Sequence, residues 1–462
     1  MKVTFVCSGV NFTSFSEFIP LSKYLNTNNV ETSFLIDNNA TQKVLESLKK
    51  ENRNFYCEVQ KKATVKSSNT KEVTQAPSKL SFIKNAFPFK ILKHYFSGVR
   101  SYLAALKNFK HYEVTSCNFL SNEKPDCLIL YGDRNLSIVP PSIKYARENN
   151  IPIIVLQVAA SMRSILLHGR RLSIENSHSL LINKILKKKF PNQWTADREK
   201  SYSFYSWHLT LALSKLNMLP KNPWYDGDSW ADRHLLVSKQ NLIAKKKDGS
   251  LCENASIVGQ YSHDLLHKKY VDREKTQVEM NNKYFNGNGK PAIIFAFPQF
   301  WEHNLMKKED SFKEIALIVD ALSKISNFNV LVSLHPKMSY EDYKIFELSS
   351  PNLKIAKDER LSDILPSGSI FLSTFESTIS WALLCKVVPV YLDFYDYGFS
   401  LKNTPGCVSL SDKNNLETEL LEITNNLTNY ENKLASHENE TLPPFDGKSG
   451  ERILNEIKAL VK

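Results

Sequence analysis

Residues 369–393 read SIFLSTFESTISWALLCKVVPVYLD: two β-rich runs, SIFL and VVPVYLD, bracket a segment of helical spacing, ISWALLC. A strand, a crossover helix and a second strand make a βαβ unit, whose strands run parallel. Working outward, PAIIFAFP (291–298), NVLVSLHP (329–336) and LKIAKD (353–358) repeat the pattern with helical stretches between them, and CVSL (407–410) adds an edge run. The spacing predicts an α/β, doubly wound parallel sheet.

The first half alternates in the same way. KVTFVC (2–7), VETSFLID (30–37), RNFYCEVQ (53–60), DCLILYGD (126–133), IPIIVLQV (151–158), HLLVS (234–238) and ASIVG (255–259) read as strands. SFSEFIPLSKYL (14–25), TQKVLESLKK (41–50), PSIKYAREN (141–149), SLLINKILKKK (179–189), REKSYSFYSWHLTLALSKL (198–216) and KQNLIAKK (239–246) carry helical spacing. Residues 60–80 have no period and read as a loop; 81–112 form a basic, aromatic helical pattern broken near Pro88. We therefore expect two Rossmann-like domains facing a cleft: 1–285, with helical insertions, and 286–440. An amphipathic helix within 441–462 is expected to return to the first.

Composition narrows the function classes. A chain of 462 residues is too long for one ordinary core, and 42% hydrophobic with 11% aromatic residues excludes wholesale disorder. Sixty Lys+Arg against 48 Asp+Glu give +12, which points to anionic partners. Seven scattered cysteines without a Cys-x-x-Cys pair predict reduced, buried thiols rather than zinc or disulfide frameworks. The apolar start MKVTFVCSGV is too short for a signal peptide, and no uncharged run is long enough to span a bilayer. A cytoplasmic protein, at most peripheral to the inner membrane, is expected. No Gly-x-Gly-x-x-Gly follows a strand, which disfavours a dinucleotide.

Candidate chemistry falls at strand ends. Ser373-Thr374-Phe375-Glu376-Ser377-Thr378 lies between SIFL and the following helix, where hydroxyls and free N–H groups suit a phosphate. An ordinary N-cap is the alternative. His335-Pro336-Lys337 follows NVLVSL, and Glu302-His303 follows PAIIFAF; both fall where ligands bind in open α/β sheets. Asp133 is a candidate base, with Arg134 a candidate clamp for a carboxylate, or the two form a salt bridge. His263 in GQYSHD ranks behind these. In NPWYDGDSWADR (222–233), Asp226, Asp228 and Asp232 are candidate nucleophiles or structural carboxylates.

The dipeptide His335-Pro336 followed by the Ser/Thr turn resembles GT-B glycosyltransferases with cytidine-activated donors. Bacterial polysialyltransferases, Kdo transferases of capsule and O-antigen, and CDP-glycerol polymerases are of this kind. The resemblance implies that His335, with Ser373, Ser377 and Thr378, holds the cytidine phosphate. LYGDR, IPIIVLQVAAS, ADRHLLVS and ASIVGQYSHD are similar to UDP-GlcNAc 2-epimerases, but the glycine-rich turn of that family is replaced by Phe375-Glu376. NPWYDGDSWADR resembles a loop of retaining β-Kdo transferases, which implies Asp232 as nucleophile, although Gln157 stands where an acid is expected. The resemblance also implies Asp133 as base in an inverting reaction.

The expected function is transfer of a Kdo-, sialic- or pseudaminic-type ulosonic acid from a CMP donor to a surface-polysaccharide or lipid-linked glycan, without cofactor or metal. A UDP-sugar epimerase and a CDP-glycerol or UDP-sugar transferase are the alternatives. The basic stretches 81–112 and Lys187-Lys188-Lys189 suit an anionic membrane surface, a polysaccharide groove or plain solvated helix faces. No nucleic-acid module is recognisable, so no nucleic-acid partner is expected.

Overall fold

Fifteen described strands carry the architecture. They are β1 (Lys2–Cys7), β2 (Glu31–Ile36), β3 (Asn54–Cys57), β4 (Cys127–Leu130), β5 (Ile153–Leu156), β6 (Trp194–Asp197), β7 (Lys200–Ser203), β8 (Arg233–Leu236), β9 (Ala255–Ile257), β10 (Ala292–Ala296), β11 (Asn329–Ser333), β12 (Leu353–Ala356), β13 (Ile370–Ser373), β14 (Val388–Leu392) and β15 (Val408–Leu410). The computed structural model describes residues 1–8, 12–37, 46, 48–49, 54–57, 87–158, 163–171, 173–197, 199–303, 305–335, 337–374, 378–395, 406–436 and 442–461. The segment 60–80, most of the helix expected over 41–50, and Pro336 and Ser377 of the candidate site lie outside these residues.

The chain divides into two compact units, Met1–Tyr261 with Ser449–Lys462, and Ser262–Lys448. Residues 262–285 thus belong to the second unit. Each unit holds a parallel sheet, in the order β3-β2-β1-β4-β5-β8-β9 and β12-β11-β10-β13-β14-β15 respectively. In both, the order runs outward from the first strand and then reverses, so a topological switch point falls between β1 and β4 and between β10 and β13.

Both faces of each sheet are covered by helices, as parallel sheets require. In the first unit Val3, Phe5 and Cys7 pack against Phe18, Leu21 and Leu25 of helix Phe12–Thr27 and against Ile453, Leu454 and Ile457 of helix Ser449–Leu460. The opposite face sets Leu128, Leu130, Ile153 and Val155 against Ile143 and Ala146 of helix Val139–Glu148. In the second unit Ile293, Phe295 and Val330 pack on helices Lys308–Ser323 and Leu416–Asn425. Ile294, Ala296 and Phe371 pack on Leu266, Ile379 and Ala382.

Two elements differ from the expectation. The helix expected over 198–216 is confined to Trp207–Lys215, because Lys200–Ser203 pairs antiparallel with Trp194–Asp197 as a hairpin. The long basic helix runs Phe87–Glu123, eleven residues beyond its expected end at Tyr112, while residues 81–86, upstream of the break expected near Pro88, lie outside the described residues. Among the described residues no helix is long and apolar enough to cross a membrane. Cys7, Cys127, Cys252 and Cys385 are buried and free. Burial pushes the thiols of Cys7, Cys127 and Cys385 far above their ordinary range.

Candidate functional site

β10 lies between β11 and β13, so the segments leaving the carboxyl ends of these three strands are neighbours at one edge of the second sheet. From β13 come Ser373 and Thr374, both fully buried, and then Thr378. The Oγ of Ser373 and the Oγ1 atoms of Thr374 and Thr378 are buried without a hydrogen-bond partner among the described residues. Three unsatisfied hydroxyls around one turn are unusual, because a buried polar group left unpaired costs about 1–3 kcal/mol. Thr378 caps the six-residue helix Ile379–Leu384, but its side chain makes no capping bond, so the N-cap alternative does not account for it.

From β11 comes His335, whose Nδ1 accepts the Lys337 backbone N–H at 3.2 Å. That fixes the free nitrogen as Nε2. Partial burial, with Lys337 and His303 nearby, lowers the His335 pKa, so the ring is neutral at pH 7. From β10 comes His303, whose ring centre stands 6.4 Å from that of His335. Its Nε2 pairs with Gln299 Oε1 at 2.7 Å. Glu302 accepts the Tyr343 hydroxyl at 2.6 Å on Oε1, while its Oε2 is buried without a partner. The edge therefore joins hydroxyl donors, a neutral imidazole and one carboxylate, a set suited to a phosphoryl group of low charge. Lys337 itself is exposed.

Gln299 and Tyr343 were not among the sequence candidates. Gln299 and His303 stand four residues apart, a spacing that signals a local pair; Tyr343 lies 41 residues beyond Glu302 and left no signal.

His263 sits in the first turn of helix Tyr261–Val271, 4% exposed, with Nδ1 unpartnered. Burial lowers its pKa to about 4, so it is a neutral imidazole closed off from solvent.

The remaining candidates lie in the first unit and are drawn into a structural network. Asp133, 1% exposed, accepts the backbone N–H groups of Gly227 on Oδ1 (3.0 Å) and of Ser229 and Trp230 on Oδ2 (3.1 and 2.9 Å). It straps the loop 227–230 to the end of β4. Burial raises its pKa, while the three N–H donors and Arg134 act against the rise. Gly227 has φ of 87°, and a Cβ there would lie 2.2 Å from His234 Nδ1, so only glycine lets the loop lie this close.

Arg134 pairs with Asp226 at 2.6 Å, donates to the carbonyls of Pro223 and Trp224, and lies over the Phe204 ring. It is 8% exposed, so the expected grip on a donor carboxylate gives way to a buried ion pair. Burial raises the Asp226 pKa to about 6 against the pull of Arg134. Asp228 accepts the Ser250 hydroxyl and the Leu251 N–H, and Gln157 Oε1 accepts the Val237 N–H.

Asp232 lies at the other end of its strand. Its Oδ2 accepts the N–H of Ile153, the first residue of β5, and its Oδ1 pairs with Arg147 at 3.1 Å. Because β5 and β8 are parallel, this places it at the amino ends of the strands, the edge opposite to that where α/β sheets bind ligands. Among the described residues no group of three or more His, Cys, Asp or Glu is arranged to hold a metal ion.

No protein-family model and no curated protein matches the chain. Solved structures do match over its whole length. UDP-GlcNAc 2-epimerase from Neisseria meningitidis, bound to UDP-GlcNAc, superposes with a TM-score of 0.54 at 12% identity over 99% of this chain and 100% of that one. The epimerase from Methanocaldococcus jannaschii gives 0.53 at 12% identity over 99% and 100%. The glycosyltransferase of kitacinnamycin gives 0.52 at 10% identity over 100% and 99%. The fold is thus the pair of Rossmann-like α/β domains found in GT-B glycosyltransferases and in these epimerases.

Proposed function

We propose that the chain is a glycosyltransferase that binds a nucleotide sugar at the carboxyl edge of the second sheet. One observation carries this reading: the buried, unpartnered hydroxyls of Ser373, Thr374 and Thr378 beside the topological switch point, with His335 two strands away. A phosphoryl oxygen would accept from the hydroxyls, and His335 Nε2–H would donate to the leaving phosphate as charge develops on it. Pro336, Lys337 and Ser377 flank this seat in sequence. His303 and Glu302 are positioned to meet the nucleoside or the sugar.

The donor we propose is a CMP-linked ulosonic acid of Kdo, sialic or pseudaminic type, passed to a surface-polysaccharide or lipid-linked glycan. Two features support it. The His335-Pro336 and Ser/Thr-turn pattern resembles enzymes with cytidine-activated donors. The described edge also offers hydroxyls and a neutral imidazole rather than guanidinium groups, which suits the single phosphoryl of a CMP sugar better than a diphosphate. Asp133, Arg134 and Asp232 are assigned to the architecture of the first unit rather than to the reaction.

A second reading, epimerisation of a UDP sugar, is favoured by the UDP-GlcNAc 2-epimerases among the matched structures, those of Neisseria meningitidis and Methanocaldococcus jannaschii included. Thermal-shift titration with CMP, CDP, UDP and GDP separates the two, since a ligand selective for the folded state raises the transition. A shift with CMP is expected. A shift with UDP alone moves the assignment to the epimerase reading, and no shift with any nucleotide refutes both.

A further inference from the structure

Helices Phe87–Glu123 and Leu181–Lys189 both leave apolar side chains in solvent. On the first, Phe96 is 67% and Leu103 58% exposed; on the second, Leu181 is 68% and Ile185 56% exposed. These are not isolated residues on separate surfaces. The Ile182 N–H donates to the Tyr95 hydroxyl at 3.4 Å, and Tyr95, Leu180, Leu186 and Trp207 belong to one buried cluster. The two helices thus meet at Tyr95 and Ile182, one residue along the chain from Phe96 and from Leu181. Large apolar side chains exposed on two helices that touch each other mark an interaction site.

Charge says what covers it. Exposed Arg100, Lys107 and Lys110 recur among the apolar residues of the first helix at three- and seven-residue intervals; exposed Lys184, Lys187 and Lys188 stand among those of the second. No Asp or Glu occurs in 87–112 or 177–196. Cations without carboxylates, interleaved with apolar side chains on the outer faces of helices, match the two components of interfacial membrane binding: apolar insertion and attraction to anionic headgroups.

We propose that this face of the first unit docks on an anionic lipid surface, with Phe96, Leu103, Leu181 and Ile185 entering the headgroup region and the lysines resting on lipid phosphates. The proposal stands apart from the nucleotide reading, and neither fails with the other. The membrane is chosen over a polyanion in solution because a nucleic acid or polysaccharide would use the lysines but leave the aliphatic side chains exposed.

The test is co-sedimentation of the full chain with vesicles of equimolar phosphatidylglycerol and phosphatidylcholine, against vesicles of phosphatidylcholine alone. Binding to the anionic vesicles only is expected. Combined Lys184→Gln, Lys187→Gln and Lys188→Gln should lower partitioning about a hundredfold, roughly fivefold per charge. Phe96→Ser with Leu181→Ser should lower it about tenfold or more, with an unchanged unfolding transition because both side chains are exposed. Equal binding to neutral vesicles, binding to neither, or partitioning insensitive to the serine pair overturns the proposal. So does a dimer in solution that the serine pair dissociates, since the face would then belong to a second copy.

Discussion

Asp133 offers the clearest separation between architecture and chemistry. Asp133→Asn keeps the shape but leaves one acceptor oxygen. Turned towards Ser229 and Trp230, that oxygen retains two of the three bonds, and the new amide then faces the Gly227 N–H, donor against donor. The change removes one charge-assisted bond of about 1.5–3 kcal/mol and strands an N–H at a cost of about 1–3 kcal/mol. It also relieves part of the penalty for burying a charge, which is what raises the Asp133 pKa. The net expectation is a loss of about 3 kcal/mol, a large share of the 5–15 kcal/mol typical of a domain. Urea unfolding followed by tryptophan fluorescence reads it directly, because Trp230 lies in the strapped loop and Trp224 three residues before it. If the variant unfolds within about 1 kcal/mol of the parent while turnover collapses, Asp133 acts on substrate and the strap is a misreading.

Three further outcomes are expected. Between pH 6.5 and about 4 the unfolded chain protonates His263 while the folded chain does not, so stability falls with pH by about 3 kcal/mol; His263→Asn should flatten that part of the profile, and an unchanged profile contradicts its burial as a neutral ring. Asp232→Asn keeps the bond from Ile153 and loses a half-exposed pair with Arg147, so stability should drop by about 1 kcal/mol or less with turnover intact; a dead enzyme would put its carboxylate on the substrate. Protonating His335 adds a positive charge beside the proposed phosphate, so nucleotide affinity should strengthen as the pH drops below the ordinary imidazole value of 6.5, and His335→Ala should erase that dependence. An affinity that weakens on acidification would place His335 elsewhere.

The strands were legible because parallel strands buried on both faces are written as short apolar runs between helical patterns, and KVTFVC, DCLILYGD and NVLVSLHP each appear where the spacing put them. The hairpin of β6 and β7 was not, because Tyr202 and Phe204 continue the spacing of the helix that follows, and the pairing partner lies upstream in 194–197. The carboxyl-edge residues His335, Ser373 and Thr374 could be placed from topology alone. Asp133, Arg134 and Asp232 could not be sorted, since an acid or base just outside a strand reads the same whether it serves chemistry or a loop. Their partners Gly227, Asp226 and Ile153 lie some 80 to 94 residues away in the chain, a separation that only folding closes.

Isothermal titration of CMP into the parent and into a Ser373→Ala, Thr374→Val double variant tests the nucleotide seat most directly. The two hydroxyls have no partner among the described residues, so their removal should leave the unliganded fold as stable as before, or slightly more so. Affinity for CMP should fall at least tenfold. Undiminished binding by a stably folded double variant would mean that the nucleotide does not sit at the end of β13.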